Sequence, residues 1–317
     1  MPVYDIGKVI RMKRESLEIS RERLCELTGE ACTEQTLYRI ESGISKVKQS
    51  TYVAIMKAMG EPVERQFNRI KLKNAKYLNL SNEITVLISK KEYHSANCIL
   101  SELAEQMDKE YPRNRQYIKR RKALIDYRGG ILSQEEYEKW LWDALKITIP
   151  NLSRIKMNHW PYMEEEILIL MDLAMLYQEM KKPEESLKLL KNLKEALEQN
   201  YLDEGISATK LNWIRYTTAN IYGNMGLHME AVRQSEEGLA SQKERKNIAL
   251  AACFHYDILW NKEQLIEKGI LPEQEKTFCV KELEEVYYLS IASGDKYIEE
   301  FCKKHMKEIY QDKITLL

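Results

Sequence analysis

Glycine and proline are scarce in this chain, 12 and 7 of 317 residues, and runs of β-branched residues are few. That leaves little material for the short, evenly spaced strands and turns of a sandwich or barrel. Net charge is absent too: 49 basic residues balance 49 acidic ones, which taken alone argues against a nucleic-acid partner. Apolar runs are short. Ile167–Met171 is cut by Asp172, far below the roughly 20 residues of a membrane span, so no membrane partner is expected. No leader precedes Pro2, and the six cysteines (Cys25, Cys32, Cys98, Cys253, Cys279, Cys302) contain no C-x-x-C. The expectation is a cytoplasmic chain with reduced thiols.

Catalytic signatures are missing as well. The five histidines (His94, His159, His228, His255, His305) form no H-E-x-x-H, and none pairs with a cysteine at ligand spacing. There is no Walker loop and no G-x-G-x-x-G. Glu164-Glu165-Glu166 reads as a solvated helix start. No nucleophile has an evident base. The chain is expected to be no enzyme and to hold no metal or cofactor. What is abundant is Lys, Glu, Leu, Met and Ala, the composition of an all-α protein.

Residues 20–43 (SRERLCELTGEACTEQTLYRIESG) are the most informative stretch. Ser20 is a good N-cap for a short helix edged by Leu24 and Leu27, which Gly29 breaks. Thr33 can cap a second helix running to Ser42, with Gly43 as its stop. Leu37 and Ile40 then face inward at helical spacing, leaving Glu34, Gln35, Thr36, Tyr38 and Arg39 outward. Two short helices joined by a turn, the second rich in hydrogen-bonding side chains near its start, make a helix-turn-helix layout suited to the DNA major groove. Ile6, Val9, Ile10 and Leu17 mark an amphipathic helix before it. Tyr52, Val53, Ile55, Met56 and Met59 mark one after it, ended by Gly60.

With those elements in place, residues 5–60 resemble the Xre/Cro–cI family of helix-turn-helix domains. The matching residues are Ile6-Gly7, Arg14, Ile19 to Leu24, Thr36 to Glu41 with Gly43, and Ala58-Met59-Gly60. The resemblance implies a structural ion pair between Arg14 and Glu41. Arg21 stands where the family often has Gln, and the turn at Thr28–Cys32 is longer than the commonest form. On this reading Gln35, Thr36 and Arg39 face base edges, Glu34 accepts from cytosine, Thr33 and Tyr38 flank them, and Arg21, Lys46 and Lys48 hold phosphates. Cys32, at the turn before the reading helix, is the one cysteine placed for redox sensing, although a plain packed or surface thiol is the preferred reading.

The charge is unevenly spread. Residues 1–73 carry 14 Lys/Arg against 10 Asp/Glu, and the remainder 35 against 39, as expected for a basic head on an acidic body. Three segments follow: a head at 1–62, a charged helical linker at 63–77, and a body at 78–317. The body repeats. Ala96, Leu141, Ser186 and Ala231 occupy equivalent positions 45 residues apart, and Ala174 and Tyr177 precede Ser186 as Ala219 and Tyr222 precede Ala231. Small residues let paired helices approach, and tyrosine fills the gap between repeats. This pattern resembles the tetratricopeptide repeat, with a longer period than the usual one of about 34 residues. The unit at 120–147 has Gly129-Gly130 in place of the Ala/Tyr pair. Helices are further expected at Ile248–Trp260, Gln274–Ala292 and Lys296–Ile309, the final ones capping the stack.

In tetratricopeptide-type stacks the first helices line a groove. The resemblance places Met171, Met175 and Gln178 there from the third unit, and Trp213, Tyr216, Asn220 and Asn224 from the fourth. His255, Asp257 and Asn261 follow from the next helix. Asparagine amides suit a peptide backbone, since they both donate and accept. Head and body together resemble the RRNPP group of peptide-responsive regulators, and the run Ala31-Cys32-Thr33 its Rgg branch. What that implies is a homodimer binding a palindromic operator in double-stranded DNA and sensing a short signalling peptide. Two alternatives stay open at this point: a protein-interaction module whose repeats sequester a regulatory protein, and a redox sensor acting through Cys32.

Overall fold

Side-chain caps set the first helices. The structure, a computed structural model, describes residues 4–29, 31–60, 78–202, 204–244 and 250–310. Asp5 accepts from the Lys8 amide to start α1 (Ile6–Ser16). Ser20 accepts from the Arg23 amide at 3.0 Å to start α2 (Arg21–Leu27), and Thr33 from the Thr36 amide at 3.2 Å to start α3 (Glu34–Glu41). Each cap satisfies an amide that the first turn would leave without a partner. Gly29 and Gly43, at φ of 62° and 71°, take the left-handed conformation that ends α2 and α3. α4 (Gln49–Ala58) closes the head over a core of Ile10, Leu24, Leu37, Ile40, Tyr52, Ile55, Met56 and Met59. α1 meets α3 at Gly7, where a Cβ would stand 2.1 Å from the Ile40 carbonyl oxygen. Only glycine permits that approach.

Four antiparallel helix pairs account for most of the remainder. They are α5 (Leu78–Ser89) with α6 (Tyr93–Gln106), α7 (Pro112–Arg128) with α8 (Gln134–Thr148), α9 (Glu164–Glu179) with α10 (Pro183–Leu197), and α11 (Glu204–Asn224) with α12 (His228–Glu244). α13 (Ala251–Glu267), α14 (Lys276–Ser293) and α15 (Lys296–Ile309) follow. No strand occurs among the described residues. Ala96, Leu141, Ser186 and Ala231 each fall on the second helix of a pair and are fully buried, as are Ala174 and Ala219. The Ser186 hydroxyl donates to the Ala174 carbonyl at 2.7 Å, locking α10 onto α9. Tyr177 does bridge repeats: its hydroxyl donates to Glu138 at 2.7 Å and accepts from the Trp142 indole at 3.3 Å. The pair that lacks the Ala/Tyr signature is held by other means. Ser133 and Glu136 form a reciprocal capping box on α8, and Tyr127 stacks on Tyr137 at 4.4 Å. Buried Arg120 bonds Asp172 at 2.7 Å and Glu165 at 3.1 Å.

The chain forms two compact units, 1–203 and 204–317. The division does not fall at the end of the head, because within the first unit α1 packs on the 3-10 turn at Met157–His159. Ser16 Oγ accepts from the Lys156 amide at 2.9 Å, the Asp5 amide donates to the Tyr201 carbonyl at 3.0 Å, and Lys13 lies 4.6 Å over the Trp160 ring. His159 meets Glu15 at 3.0 Å. Nothing in the sequence pattern foretold this docking. The expected linker at 63–77 lies outside the described residues.

In the second unit α13, α14 and α15 share a core of Leu259, Leu283, Val286, Ile298, Cys302 and Met306. α13 continues past the expected end at Trp260 to Glu267, because Asn261, Leu265 and Ile266 are buried on the same face. Phe254 packs flat on Gly238 of α12, where a Cβ would approach its ring to 2.3 Å. α14 begins after a 3-10 turn at Glu273–Glu275, and α15 has the expected bounds.

Candidate functional site

The outer face of α3 is a row of hydrogen-bonding side chains in water. Glu34, Gln35, Thr36, Tyr38 and Arg39 are all exposed, while Leu37 and Ile40 anchor the helix in the core. Thr33 is a structural cap; its hydroxyl lies 2.9 Å from that of Thr36. Lys46 and Lys48 stand exposed in the segment leading to α4. Glu41, with a side chain only 1% exposed, takes bonds from Arg14 Nε at 2.6 Å and Nη2 at 3.0 Å. The ion pair implied by family resemblance is therefore present and bidentate, and it fixes the end of α3 against α1. Arg21 donates its Nε to the same carboxylate at 2.7 Å and lies 5.4 Å over the Tyr38 ring. This narrows the phosphate contact expected of Arg21 to its remaining N–H groups. Its Nε is committed to the fold, leaving its terminal N–H groups to reach outward.

Cys32 has a neighbour the sequence did not reveal: its Sγ lies 3.9 Å from that of Cys25, and both are free thiols. Burial, together with the adjoining Cys32 thiol, pushes Cys25 up to about 12. A thiol so protonated at neutral pH is a poor nucleophile, which weighs against a fast redox sensor at this turn. A second correction concerns histidine. His94 and Cys98, four apart on α6, meet at 3.9 Å, so one His/Cys pair does exist. No third ligand joins it, since no group of three or more metal-ligating side chains occurs among the described residues.

A pocket of about 200 Å³ opens between α11, α13 and α15 in the second unit. Four predicted groove residues line it: Tyr216, Asn220 and Asn224, at i, i+4, i+8 on α11, and Asp257 on α13. Gly223 lies beside them where a Cβ would meet Asn261 Oδ1 at 2.9 Å, so α11 and α13 approach closely. The other predicted positions separate from it. Trp213 is half-buried and His255 exposed, and neither lines this pocket. Asn261 is fully buried. Its Oδ1 lies 2.9 Å from His228 Nδ1 and its amide donates to the Asp257 carbonyl at 2.8 Å, so it is a packing residue and not a groove residue. Met171 is buried in the first unit, where Met175 is exposed and Gln178 half-buried, all on α9. Tyr256, Trp260, Tyr297 and Phe301 complete the lining together with Ile298. The aromatic four form two i, i+4 pairs, a spacing visible in the sequence but lying beyond the recognised repeats.

Comparison with known proteins agrees with this geometry. Residues 10–65 match the family described as Helix-turn-helix. No curated protein matches the chain by sequence. Among solved structures, PlcR of Bacillus thuringiensis in complex with the peptide PapR7 and DNA superposes with a TM-score of 0.56 at 14% identity, covering 95% of this chain and 99% of that one. PlcR in its apo form gives 0.56 at 12%, covering 94% and 99%. The apo competence regulator ComR of Streptococcus vestibularis gives 0.50 at 15%, covering 95% and 97%. Along nearly its whole length, then, the chain has the fold of these regulators, an Xre-type helix-turn-helix domain followed by tetratricopeptide-like helical pairs.

Proposed function

We propose that this chain is a cytoplasmic transcriptional regulator without enzymatic activity, which reads DNA through α3 and senses a short peptide through its repeat region. The observation that carries the reading is the exposed row on α3, held rigidly from beneath by the buried Arg14–Glu41–Arg21 cluster. Gln35 is suited to adenine and Arg39 to guanine, each through paired hydrogen bonds; Thr36 reads alongside, and Glu34 accepts from cytosine. Lys46 and Lys48 reach phosphates, as do the outer N–H groups of Arg21. Asn220 and Asn224, with Tyr216, hold the backbone and apolar groups of the peptide. A homodimer presents two α3 helices to a palindromic operator. Phe278, Tyr288 and Ile291 on α14, 59%, 57% and 49% exposed, are apolar surface that a second copy would cover. A peptide acts only by binding one conformation of the dimer more tightly than another.

Selection of bound duplexes from a randomised pool, followed by titration of the winner, tests the reading. A shared palindromic sequence is expected, and Arg39→Ala should relax preference at one base position per half-site, costing about 1–3 kcal/mol. Unchanged discrimination in Arg39→Ala removes the base-reading role. Failure to enrich any sequence leaves the repeats as a protein-interaction module.

A further inference from the structure

The pocket of the second unit combines aromatic walls with one acidic group. Tyr216, Tyr256, Trp260, Tyr297 and Phe301 contribute five rings from three helices, and the residues lining the space include no Lys, Arg or His. Asp257 supplies the carboxylate. It is 7% exposed and accepts from the Ser235 hydroxyl at 2.6 Å. No ion pair reaches it among the described residues. A buried carboxylate without a counter-charge is costly to ionise, and burial pushes Asp257 up to about 6; a cation bound beside it would offset that cost. At the rim, Tyr297 and Phe301 remain 66% and 40% exposed and lean together with ring centroids 4.7 Å apart. Phe301 meets Tyr256 edge-on at 6.0 Å. The Tyr256 hydroxyl is already engaged with His305 Nδ1 at 3.1 Å, so what this tyrosine can offer a ligand is chiefly its ring. Ring faces carry the negative part of the aromatic quadrupole and attract alkylammonium groups.

We propose that this pocket selects a primary alkylammonium group, supplied by a lysine side chain or by the free N-terminus of a bound peptide. The rings surround the cation and its methylenes, and Asp257 supplies the opposing charge. The assignment rests on the peptide-sensing reading for its biological ligand, but its chemistry is tested without a peptide. Three probes suffice: Nα-acetyl-lysine methylamide, leucine methylamide with its free α-amine, and neutral Nα-acetyl-norleucine methylamide. Each is titrated into the full-length protein while the Trp260 indole N–H is followed by NMR, assigned through Trp260→Phe. At least one cation is expected to bind about tenfold tighter than the norleucine compound, and whichever wins identifies the side chain or the terminus as the source. Asp257→Asn should bring that cation down to the level of the neutral probe. An unchanged thermal midpoint or a raised one shows the variant to be folded, and Tyr256→Leu provides a second variant with the same expected loss. Equal binding of all three probes, no binding by any, or selectivity that survives both substitutions overturns the assignment. Cation selectivity in a protein whose DNA binding no peptide alters would leave the assignment standing and remove the sensing role instead.

Discussion

Glu41 accepts three hydrogen bonds from two arginines in a site closed to solvent, and a charge buried this way is stable only while its partners remain. Glu41→Ala leaves the buried Arg14 guanidinium with only Glu15, at 3.3 Å, and the Ile19 carbonyl, at 3.0 Å, and should cost about 3 kcal/mol in urea denaturation. Arg21→Ala should cost much less, near ~1 kcal/mol, because Arg21 keeps 30% of its side chain in water and Arg14 still neutralises the carboxylate. Equal losses would contradict this, showing that Arg14 alone does not neutralise the carboxylate. Asp257 behaves in the opposite sense. Its raised value favours the neutral form in the folded state, so the associated stability is complete below the ordinary carboxylate value of 3.8 and is lost as pH rises through about 6. Asp257→Asn removes that loss. It should be more stable than the parent at pH 8, by up to about 3 kcal/mol, with the advantage fading as the pH falls toward that of carboxylate protonation. Matched urea melts at the two pH values check this, and a pH-independent difference would contradict it. Residues of these two kinds differ in legibility. The Arg14–Glu41 pair was implied by family resemblance, whereas Arg21 joining it required the fold, because α2 and α3 must cross before the two side chains can meet.

Helix starts were written locally. Ser20 and Thr33 cap the helices expected of them, since a cap depends only on a side chain and an amide three residues away. Helix pairing was legible for a related reason: equivalent positions, small in three of the four repeats, mark where two helices touch, and all four are buried. The end of α13 was misplaced although Gly269, left-handed at φ 69°, marks it locally; the added turns are held by burial against α14. On α14 the outward Phe278 and Tyr288 keep more than half of their surface exposed, Tyr288 meeting only the edge of the Tyr287 ring at 5.5 Å. Replacing Phe278 and Tyr288 together by lysine should shift the protein from dimer to monomer in light scattering and leave its helical circular dichroism unchanged. A dimer that persists would move the self-association surface elsewhere.

On the proposed homodimer, two heads must meet DNA with a fixed separation. Half-sites about one helical turn apart, ~10 base pairs centre to centre, are expected. Inserting about half a turn between them turns one site to the opposite face and should reduce affinity to that of a single head. Binding should also weaken steeply with salt, as phosphate contacts by Lys46, Lys48 and Arg21 release counterions. A shallow slope in an anisotropy titration would argue against backbone contacts by these residues. The balanced total charge gave no hint of this, since the basic excess is confined to the head and the rest of the chain offsets it.

The sequence by itself determined the all-α class, the helix-turn-helix with its outward row, and the 45-residue rhythm of paired helices, because caps, helical periodicity and small-residue spacing act over a few neighbouring residues. Tertiary structure alone decided that α1 docks on residues 156–159, that Cys25 sits against Cys32, and that rings from α11, α13 and α15 converge around Asp257. Those contacts join positions tens of residues apart, and no local preference can specify which distant surfaces will exclude water together.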